Sequence, residues 1–258
     1  MCELYAINSK RPVRANEHLR LFYLDSVQHP HGWGLSWREE GRVFLHKEEL
    51  RAIDSSYLSY LLEEPIRSTN VVAHIRNATM GNLTYNNCHP FLRRDVTGCK
   101  WVIAHNGTIL DDRLTSGYEA YAAGDTDSEQ VVIFLIDELD EVAERKGSAL
   151  TFGERFVILA RAVEELSSNN KLNLVIDDGT YTYVHTNTVE PTLYVRTSGE
   201  TAFFCTRPLD DGEGWTMVPQ NRLIAYRGGR MQRMGARHEH SIDEASYFAK
   251  IVGITPVD

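Results

Sequence analysis

The second residue of the chain is a cysteine, Cys2, which directly follows Met1. A methionine before so small a residue is normally removed after synthesis, which would leave Cys2 with both a thiol and a free α-amine. A thiol has a pKa of about 8.5 and an α-amine one of about 7.7 to 8.0, so the amine can accept the thiol proton near neutral pH. An N-terminal nucleophile with its own amine as base suits acyl transfer. The simpler interpretation is a cysteine at the start of a buried strand.

The apolar segment 71–75 is typical of a buried strand and ends in a polar cluster that contains Arg76 and Thr79. An arginine just beyond a strand can hold a carboxylate with two parallel hydrogen bonds, and Thr79 can add a hydroxyl donor. Taken alone, Arg76 is more often the arginine of an ordinary surface ion pair.

The apolar segment 101–105 leads in the same way into Asn106 and Gly107. An asparagine amide next to a glycine backbone N–H forms a pocket with two donors, which suits an oxyanion. The alternative is an Asn-Gly turn without a catalytic role.

A third polar cluster, residues 124–129, precedes a long amphipathic pattern and contains two aspartates. An acidic residue here either caps the helix or binds a substrate ammonium group, and capping accounts for only one aspartate. We therefore take Asp127 as a candidate ammonium acceptor. Together the clusters supply a nucleophile, a carboxylate holder, an oxyanion hole and an ammonium acceptor, which an amino-acid side-chain amide would require.

Composition limits the classes of function. The 258 residues are 42% apolar, which predicts one domain with a large core. The net charge of -9 argues against nucleic acid as a partner. The four cysteines have no CxxC spacing and the ten histidines no ligand spacing, so we expect a reducing compartment, no metal and no cofactor. Neither a signal peptide nor a membrane-spanning stretch is evident, and we expect a cytoplasmic protein without membrane contact.

Apolar periodicity predicts the elements that must position these residues. Predicted helices cover about 15–25, 55–62, 126–147 and 152–166, and a last one opens in a capping box at Ser241 and Glu244. Predicted strands cover about 4–7, 35–37, 43–45, 71–75, 101–105, 172–176, 181–184, 193–196, 202–205, 216–218 and 223–226. The order indicates sheets stacked between helical layers.

In these motifs the sequence resembles the class II (N-terminal nucleophile) glutamine amidotransferase family. The matching segments follow the family's order through the first half of the chain: Met1-Cys2, His74 to Gly81, His89-Pro90, His105 to Gly107 and Thr126 to Glu129. The start Cys-Glu-Leu and the segment His31 to Gly34 are similar to free-standing members of that family.

The resemblance implies an α+β fold, the four-layer αββα sandwich of the Ntn-hydrolase type, with two mainly antiparallel sheets between helical layers. It implies that Cys2 is the nucleophile with its α-amine as base, and that Asn106 and Gly107 form the oxyanion hole. It also implies that Arg76 and Asp127 hold the α-carboxylate and α-amino groups of a glutamyl moiety.

Three further residues complete the predicted substrate-binding set: Thr79, His89 and Trp33. Trp33 is predicted to form an apolar wall on the leaving-group side, in a loop that runs from His29 to Gly34. The chain departs from multidomain members at Asn77, where those members have an aromatic residue. We expect a single domain over 1–258, with the catalytic motifs in 2–129 and the completion of the sandwich and a C-terminal tail in 130–258.

The predicted function is hydrolysis of the γ-glutamyl amide of glutamine or of a γ-glutamyl conjugate, through a Cys2 thioester. One alternative is the glutaminase subunit of a two-chain amidotransferase that delivers ammonia to a separate synthase. Another is a catalytically silent binding module. A small γ-glutamyl molecule is the expected substrate, while a synthase or peptidase partner and a homo-oligomer stay open.

Overall fold

A computed structural model of the protein describes residues 2–210 and 212–251. Met1, whose removal the predicted chemistry requires, lies outside these residues. The strands are β1 (Glu3–Arg14), β2 (Trp33–Glu39), β3 (Arg42–Glu48), β4 (Arg67–Ile75), β5 (Phe91–Arg94), β6 (Lys100–Thr108), β7 (Lys171–Asp177), β8 (Thr182–His185), β9 (Tyr194–Ser198), β10 (Thr201–Cys205), β11 (Trp215–Met217), β12 (Ile224–Arg227) and β13 (Arg230–Met234). The α-helices are α1 (Asn16–Leu24), α2 (Ser56–Leu61), α3 (Asp127–Lys146), α4 (Phe152–Leu166) and α5 (Glu244–Ile251). Short 3₁₀ helices cover Asp25–Gln28, Ala52–Asp54, Tyr85–Asn87 and Glu119–Tyr121.

Within the described residues the strands form two sheets, and every strand pair is antiparallel. Sheet 1 has seven strands in the order β11-β9-β10-β1-β4-β2-β3, and sheet 2 has six in the order β13-β12-β8-β7-β6-β5. The strands that carry the predicted motifs, β1 and β4 in sheet 1 and β6 in sheet 2, each have neighbours on both sides. The second half of the chain contributes strands to both sheets.

Three apolar cores show how the layers stack. Side chains alternate across β1, so that Leu4 and Ala6 face the other sheet while Tyr5 and Ile7 pack under α1 and α2. A second helix layer, α3 and α4, covers sheet 2 through residues such as Leu135. Full burial of a large apolar side chain contributes about 1.5–3 kcal/mol, so each interface is held by several such groups. The predicted four-layer αββα sandwich is confirmed.

Helix α3 begins and ends where its sequence dictates. The hydroxyl of Thr126 accepts a hydrogen bond from the backbone N–H of Glu129 at 3.3 Å, which satisfies a free donor of the first turn. At the other end Gly147 adopts φ 71°, a left-handed conformation that favours glycine. The start of α3, and with it Asp127, is therefore fixed by local sequence.

Two details of the predicted elements are wrong. The capping box lies at Thr151 and Glu154, at the start of α4, and not at Ser241 and Glu244, because α5 begins only at Glu244. The loop predicted to extend to Gly34 ends earlier, because β2 begins at Trp33. No helix within residues 2–210 and 212–251 combines the length and the apolarity needed to cross a bilayer.

Candidate active site

Cys2 lies directly before β1, half-buried, opposite the end of β4. The pairing of Glu3 with Ile75 places Cys2 beside the residues that follow β4. The backbone N–H of Asn77 donates to Cys2 Sγ at 3.2 Å. Burial raises the pKa of the Cys2 thiol, and the hydrogen bond from Asn77 opposes this shift. The thiol is therefore protonated near neutral pH and needs a base before it can attack a carbonyl.

Arg76 is buried, with 2% of its surface exposed, and its guanidinium holds the loop that follows it. It donates to the backbone carbonyls of Met80 at 3.0 Å, Gly81 at 3.3 Å and Asn82 at 3.0 Å. Among residues 2–210 and 212–251, no carboxylate lies close enough to form an ion pair with Arg76. A buried cation without a charged partner suits an anionic ligand group.

The loop after β4 contacts the end of β6 in the other sheet. The hydroxyls of Thr79 and Thr108 lie 3.1 Å apart. The same loop is held from the β2 side, because the backbone N–H of Ala78 donates to His31 Nδ1 at 2.9 Å. The segment after Arg76 is thus fixed between the two sheets.

Asn106 and Gly107 lie within β6, opposite Asn173 and Leu172 of β7. The side chain of Asn106 is buried, with 4% of its surface exposed. A Cβ atom at Gly107 would lie 1.9 Å from the carbonyl oxygen of Lys171, so only glycine fits this close approach of the strands. The alternative of an Asn-Gly turn is therefore wrong, because both residues belong to a strand.

Asp127 is the first residue of α3, and both of its carboxylate oxygens accept backbone hydrogen bonds. Oδ2 accepts from the N–H of Ile109 at 2.7 Å, and Oδ1 accepts from the N–H of Ser128 at 2.8 Å. The expectation that capping accounts for one of the two aspartates is wrong, because Thr126 caps the helix. Asp125 instead accepts a hydrogen bond from the backbone N–H of Asn82 at 3.1 Å.

His89 lies beneath the site and not within an open space. Its ring centroid lies 4.2 Å from that of His74, with the two ring planes tilted by 31°, and its Nδ1 accepts from the backbone N–H of His105 at 3.4 Å. Burial holds the pKa of His89 well below its usual value, so the ring is neutral near pH 7. With 4% of its surface exposed, His89 supports β6 next to Asn106.

Trp33 does not line the site. Its side chain is fully buried in the core between sheet 1 and the helices α1 and α2, where its ring packs 6.0 Å from that of Tyr23. Its indole N–H donates to Glu48 at 3.1 Å. A side chain without exposed surface cannot form the predicted apolar wall, so we remove Trp33 from the proposed site.

Contacts connect the remaining predicted residues at one end of the sandwich. Cys2 contacts the loop after Arg76, this loop contacts the end of β6 through Thr79, and the end of β6 contacts Asp127. Asn106 and Gly107 immediately precede this contact point on β6. The described part of the chain contains no cluster of three or more His, Cys, Asp or Glu side chains that could hold a metal ion.

The family model for class II glutamine amidotransferases matches residues 1–199 of the chain. The chain belongs to this family. All the residues proposed for the site lie within the match. The match ends before β10, one of the two strands that pair with β1, and before α5.

Proteins similar to this chain include one relative and two solved structures. An uncharacterized protein of Methanocaldococcus jannaschii is 31% identical over 187 residues, which are 72% of this chain and 50% of that protein. This chain thus spans half the length of that relative. A "predicted glutamine amidotransferase" of Pseudomonas aeruginosa has a TM-score of 0.66 at 20% identity over 90% of this chain and 100% of its own.

The second structure is glutamine phosphoribosylpyrophosphate amidotransferase of B. subtilis. It has a TM-score of 0.65 at 16% identity, over 90% of this chain and 48% of that one. At these identities both structures show the fold alone, which is that of the Ntn-type class II amidotransferases.

Sequence reasoning missed one part of the candidate site, a polar network that connects two loops. The amide Nδ2 of Asn87 donates to the carbonyl oxygen of Asn82 at 2.8 Å and also to the Asp125 carboxylate, while Asn87 Oδ1 accepts from the Asp125 backbone N–H at 2.9 Å. Asn87 lies in a stretch rich in asparagine and threonine. Such composition indicates a loop but does not show which loop it contacts.

Proposed function

We propose that the protein is an amidohydrolase that cleaves the γ-glutamyl amide of glutamine or of a γ-glutamyl conjugate and releases glutamate. One observation carries this proposal: a continuous series of contacts joins Cys2, the Arg76 loop, the end of β6 and Asp127 at one end of the sandwich. A nucleophile, a cation, an oxyanion pocket and an anion at one place match the functional groups of a glutamyl amide.

The reaction begins with transfer of the Cys2 thiol proton to the α-amine of the same residue, once Met1 is removed. The sulfur attacks the γ-carbonyl carbon, and the negative charge that develops on the carbonyl oxygen is stabilised by the Asn106 amide and the Gly107 N–H. The leaving amine takes the proton from the α-ammonium group. Water then attacks the thioester, which releases glutamate and restores the thiol.

Arg76 and Asp127 are proposed to bind the glutamyl head group. Arg76 is buried without a carboxylate partner among the described residues, so it can form an ion pair with the substrate α-carboxylate. Asp127, the first residue of α3, is proposed to bind the α-ammonium group. Thr79 adds a hydroxyl donor from the loop after Arg76.

As part of this proposal the glutamyl group passes to water, and residues 200–251 add strands and a helix to the same sandwich. Selectivity then comes from the leaving-group side, where the loop at His29 to Gly32 remains the candidate. A second function is that of the glutaminase subunit of a two-chain amidotransferase. The observation that supports it is that this chain covers only 48% of the B. subtilis enzyme, so that a separate chain would correspond to the remainder.

The test is a panel of γ-glutamyl compounds on the purified protein, with removal of Met1 verified by intact mass. We expect glutamate release by the isolated chain, with at least one bulkier γ-glutamyl amide preferred over glutamine. Glutamine hydrolysis that appears only when a co-purifying protein is present would support the two-chain amidotransferase. If no glutamate were released under either condition, the remaining interpretation would be a catalytically silent binding module.

A further inference from the structure

Helix α5 lies beyond the part of the chain that the family model matches, yet it contacts the end of β6, the strand that carries the proposed oxyanion residues. Tyr247 on this helix has 5% of its surface exposed. Its hydroxyl donates to the backbone carbonyl of Thr108 and accepts from the backbone N–H of Lys171, the latter at 3.1 Å. A single side-chain hydroxyl therefore contacts the ends of both β6 and β7.

The two strand residues that Tyr247 contacts lie directly opposite each other. Thr108 and Lys171 form the last pair of the β6–β7 ladder. The carbonyl oxygen of Lys171 is also the atom that a Cβ at Gly107 would meet at 1.9 Å. The separation of the strands at Gly107 thus depends on where this last pair is held.

A second contact joins α5 to the same strand end. The ammonium group of Lys171 forms an ion pair with Glu244, and the Lys171 side chain is almost completely buried, with 3% of its surface exposed. Helix α5 consequently contacts both the main chain and the side chain of Lys171. The ion pair with Glu244 and the backbone contact with Tyr247 both hold Lys171 against α5.

Thr108 lies between the two halves of the proposed site. On one side is Gly107, a proposed oxyanion donor, and on the other is Ile109, whose N–H donates to Asp127 at 2.7 Å. A shift of the Thr108 carbonyl would therefore move both the oxyanion pocket and the proposed ammonium acceptor.

Burial raises the pKa of Tyr247 to about 12, so its hydroxyl keeps its proton throughout the neutral range.

We propose that Tyr247 is a positioning residue, which holds the end of β6 so that Gly107 and Asp127 face the same substrate. The inference rests on the proposed function, and it assigns a role to a helix outside the family match. Tyr247 acts through Thr108 and Lys171 and does not touch the reacting atoms. Since misplacement of a catalytic group by an ångström can cost up to about 10²-fold in rate, loss of this hydroxyl should be visible in kcat.

The experiment compares Tyr247→Phe with Tyr183→Phe in the full chain. Tyr183 is a matched control, because it is fully buried and its hydroxyl donates to Asp178 at 2.9 Å, towards the other end of sheet 2. For Tyr247→Phe we expect kcat to fall about tenfold, since the oxyanion contact forms in the transition state, and KM to rise, since Asp127 is proposed to bind the substrate ammonium group in the ground state. For Tyr183→Phe we expect wild-type kcat and KM.

Amide hydrogen exchange on the same proteins gives a second readout that needs no turnover. We expect faster exchange at Lys171 and Ile109 in Tyr247→Phe and wild-type exchange at both in Tyr183→Phe. If the wild-type protein released no glutamate from any compound, the proposed function would fail, while unchanged exchange at Lys171 and Ile109 would overturn the positioning role by itself.

Equal kcat values in Tyr247→Phe and Tyr183→Phe would also overturn the inference. If Tyr247→Phe does not fold, Glu244→Gln replaces it, because this change removes the charge of the Lys171 ion pair and keeps the tyrosine hydroxyl. We expect about a threefold fall in kcat and faster exchange at Lys171 for this variant. If Glu244→Gln kept the wild-type kcat and the wild-type exchange rate at Lys171, the role assigned to α5 would be contradicted.

Discussion

The hydroxyls of Thr79 and Thr108 lie 3.1 Å apart and join the loop after β4 of sheet 1 to the end of β6 in sheet 2. The proposed nucleophile and the proposed carboxylate holder, Cys2 and Arg76, come from sheet 1. The oxyanion residues come from sheet 2, and Asp127 comes from the helix layer on that sheet. The proposed chemistry therefore depends on the relative position of the two sheets at this end of the sandwich.

We predict that Cys2→Ala abolishes glutamate release, because the half-buried Cys2 thiol is the proposed nucleophile. The matched control is Cys99→Ala, which removes a half-buried thiol in the turn between β5 and β6. This control should retain wild-type kcat. Turnover is measured with proteins whose N-terminus is verified by intact mass, since a retained Met1 should also give inactive protein. Full activity of protein that keeps Met1 would contradict the α-amine as base.

The recognition of the glutamyl head group gives a second prediction. Arg76→Ala should cost about 2 to 4 kcal/mol in kcat/KM, because the substrate carboxylate then loses its partner in a desolvated site. Arg76→Lys should recover little of this loss, since a lysine cannot reproduce the fork of hydrogen bonds to the loop carbonyls. Arg113→Ala, at an exposed arginine paired with Asp111, is the control and should leave kcat/KM unchanged. Unaltered kinetics of Arg76→Ala would show that the pocket is wrongly assigned.

The fold followed from sequence where apolar side chains form a continuous run or repeat at helical spacing. The buried strand β6 is predicted by its continuous apolar run, and the helix α3 by its helical spacing. Strands β5 and β13 were missed because they are short edge strands, and every residue of β13 is exposed. No apolar alternation distinguishes such a strand from a loop.

The site was harder to predict than the fold because part of it depends on contacts between distant loops. Trp33 was placed in a loop because glycines flank it, yet β2 pairs with both β3 and β4 and turns this side chain into the core. The contact of Asn82 with Asp125 joins residues 43 positions apart. Pairings of this kind are set by the packing of the sheets and leave no local signal.

The oxyanion residues give a third prediction. Asn106→Ala should lower kcat by about 10² with a small effect on KM, since the amide is proposed to bind the oxyanion only in the transition state. Gly107→Ala should instead fail to fold or lose stability, because the new Cβ would lie 1.9 Å from the Lys171 carbonyl oxygen. Steady-state kinetics and thermal unfolding separate the two effects. A wild-type kcat in Asn106→Ala would remove this residue from the mechanism.

The buried side chains of His185 and His238 form hydrogen bonds that leave no free ring nitrogen to accept a further proton. His185 Nδ1 donates to the carbonyl of Leu172 at 2.8 Å, and its Nε2 lies 3.0 Å from Nε2 of His238. His238 Nδ1 accepts from the backbone N–H of His240 at 3.2 Å, so its Nε2 carries the proton and donates to His185. Each ring is neutral, and protonation of either one would remove an acceptor that the pair uses.

This arrangement makes stability depend on pH. Burial, followed by the charges of His240 and Arg237, lowers the pKa of His238 from 6.5 to about 4, and burial next to His238 lowers that of His185 to about 3. In the unfolded chain both rings take up a proton as the pH falls through 6.5, while the folded protein excludes it. The contribution of this histidine pair to the free energy of unfolding should therefore be fully present above pH 6.5 and should decrease as the pH falls towards 4.

The loss should reach at most about 1.4 kcal/mol per pH unit for each imidazole in this window. His238→Gln keeps a donor for His185 Nε2 but cannot take up a proton, so its unfolding free energy should fall less steeply between pH 6.5 and 4. Urea unfolding of both proteins at several pH values measures the two slopes. If the slopes of the wild-type protein and His238→Gln were equal, the histidine pair would not be a source of the acid sensitivity, and the carboxylates elsewhere in the chain would have to account for it.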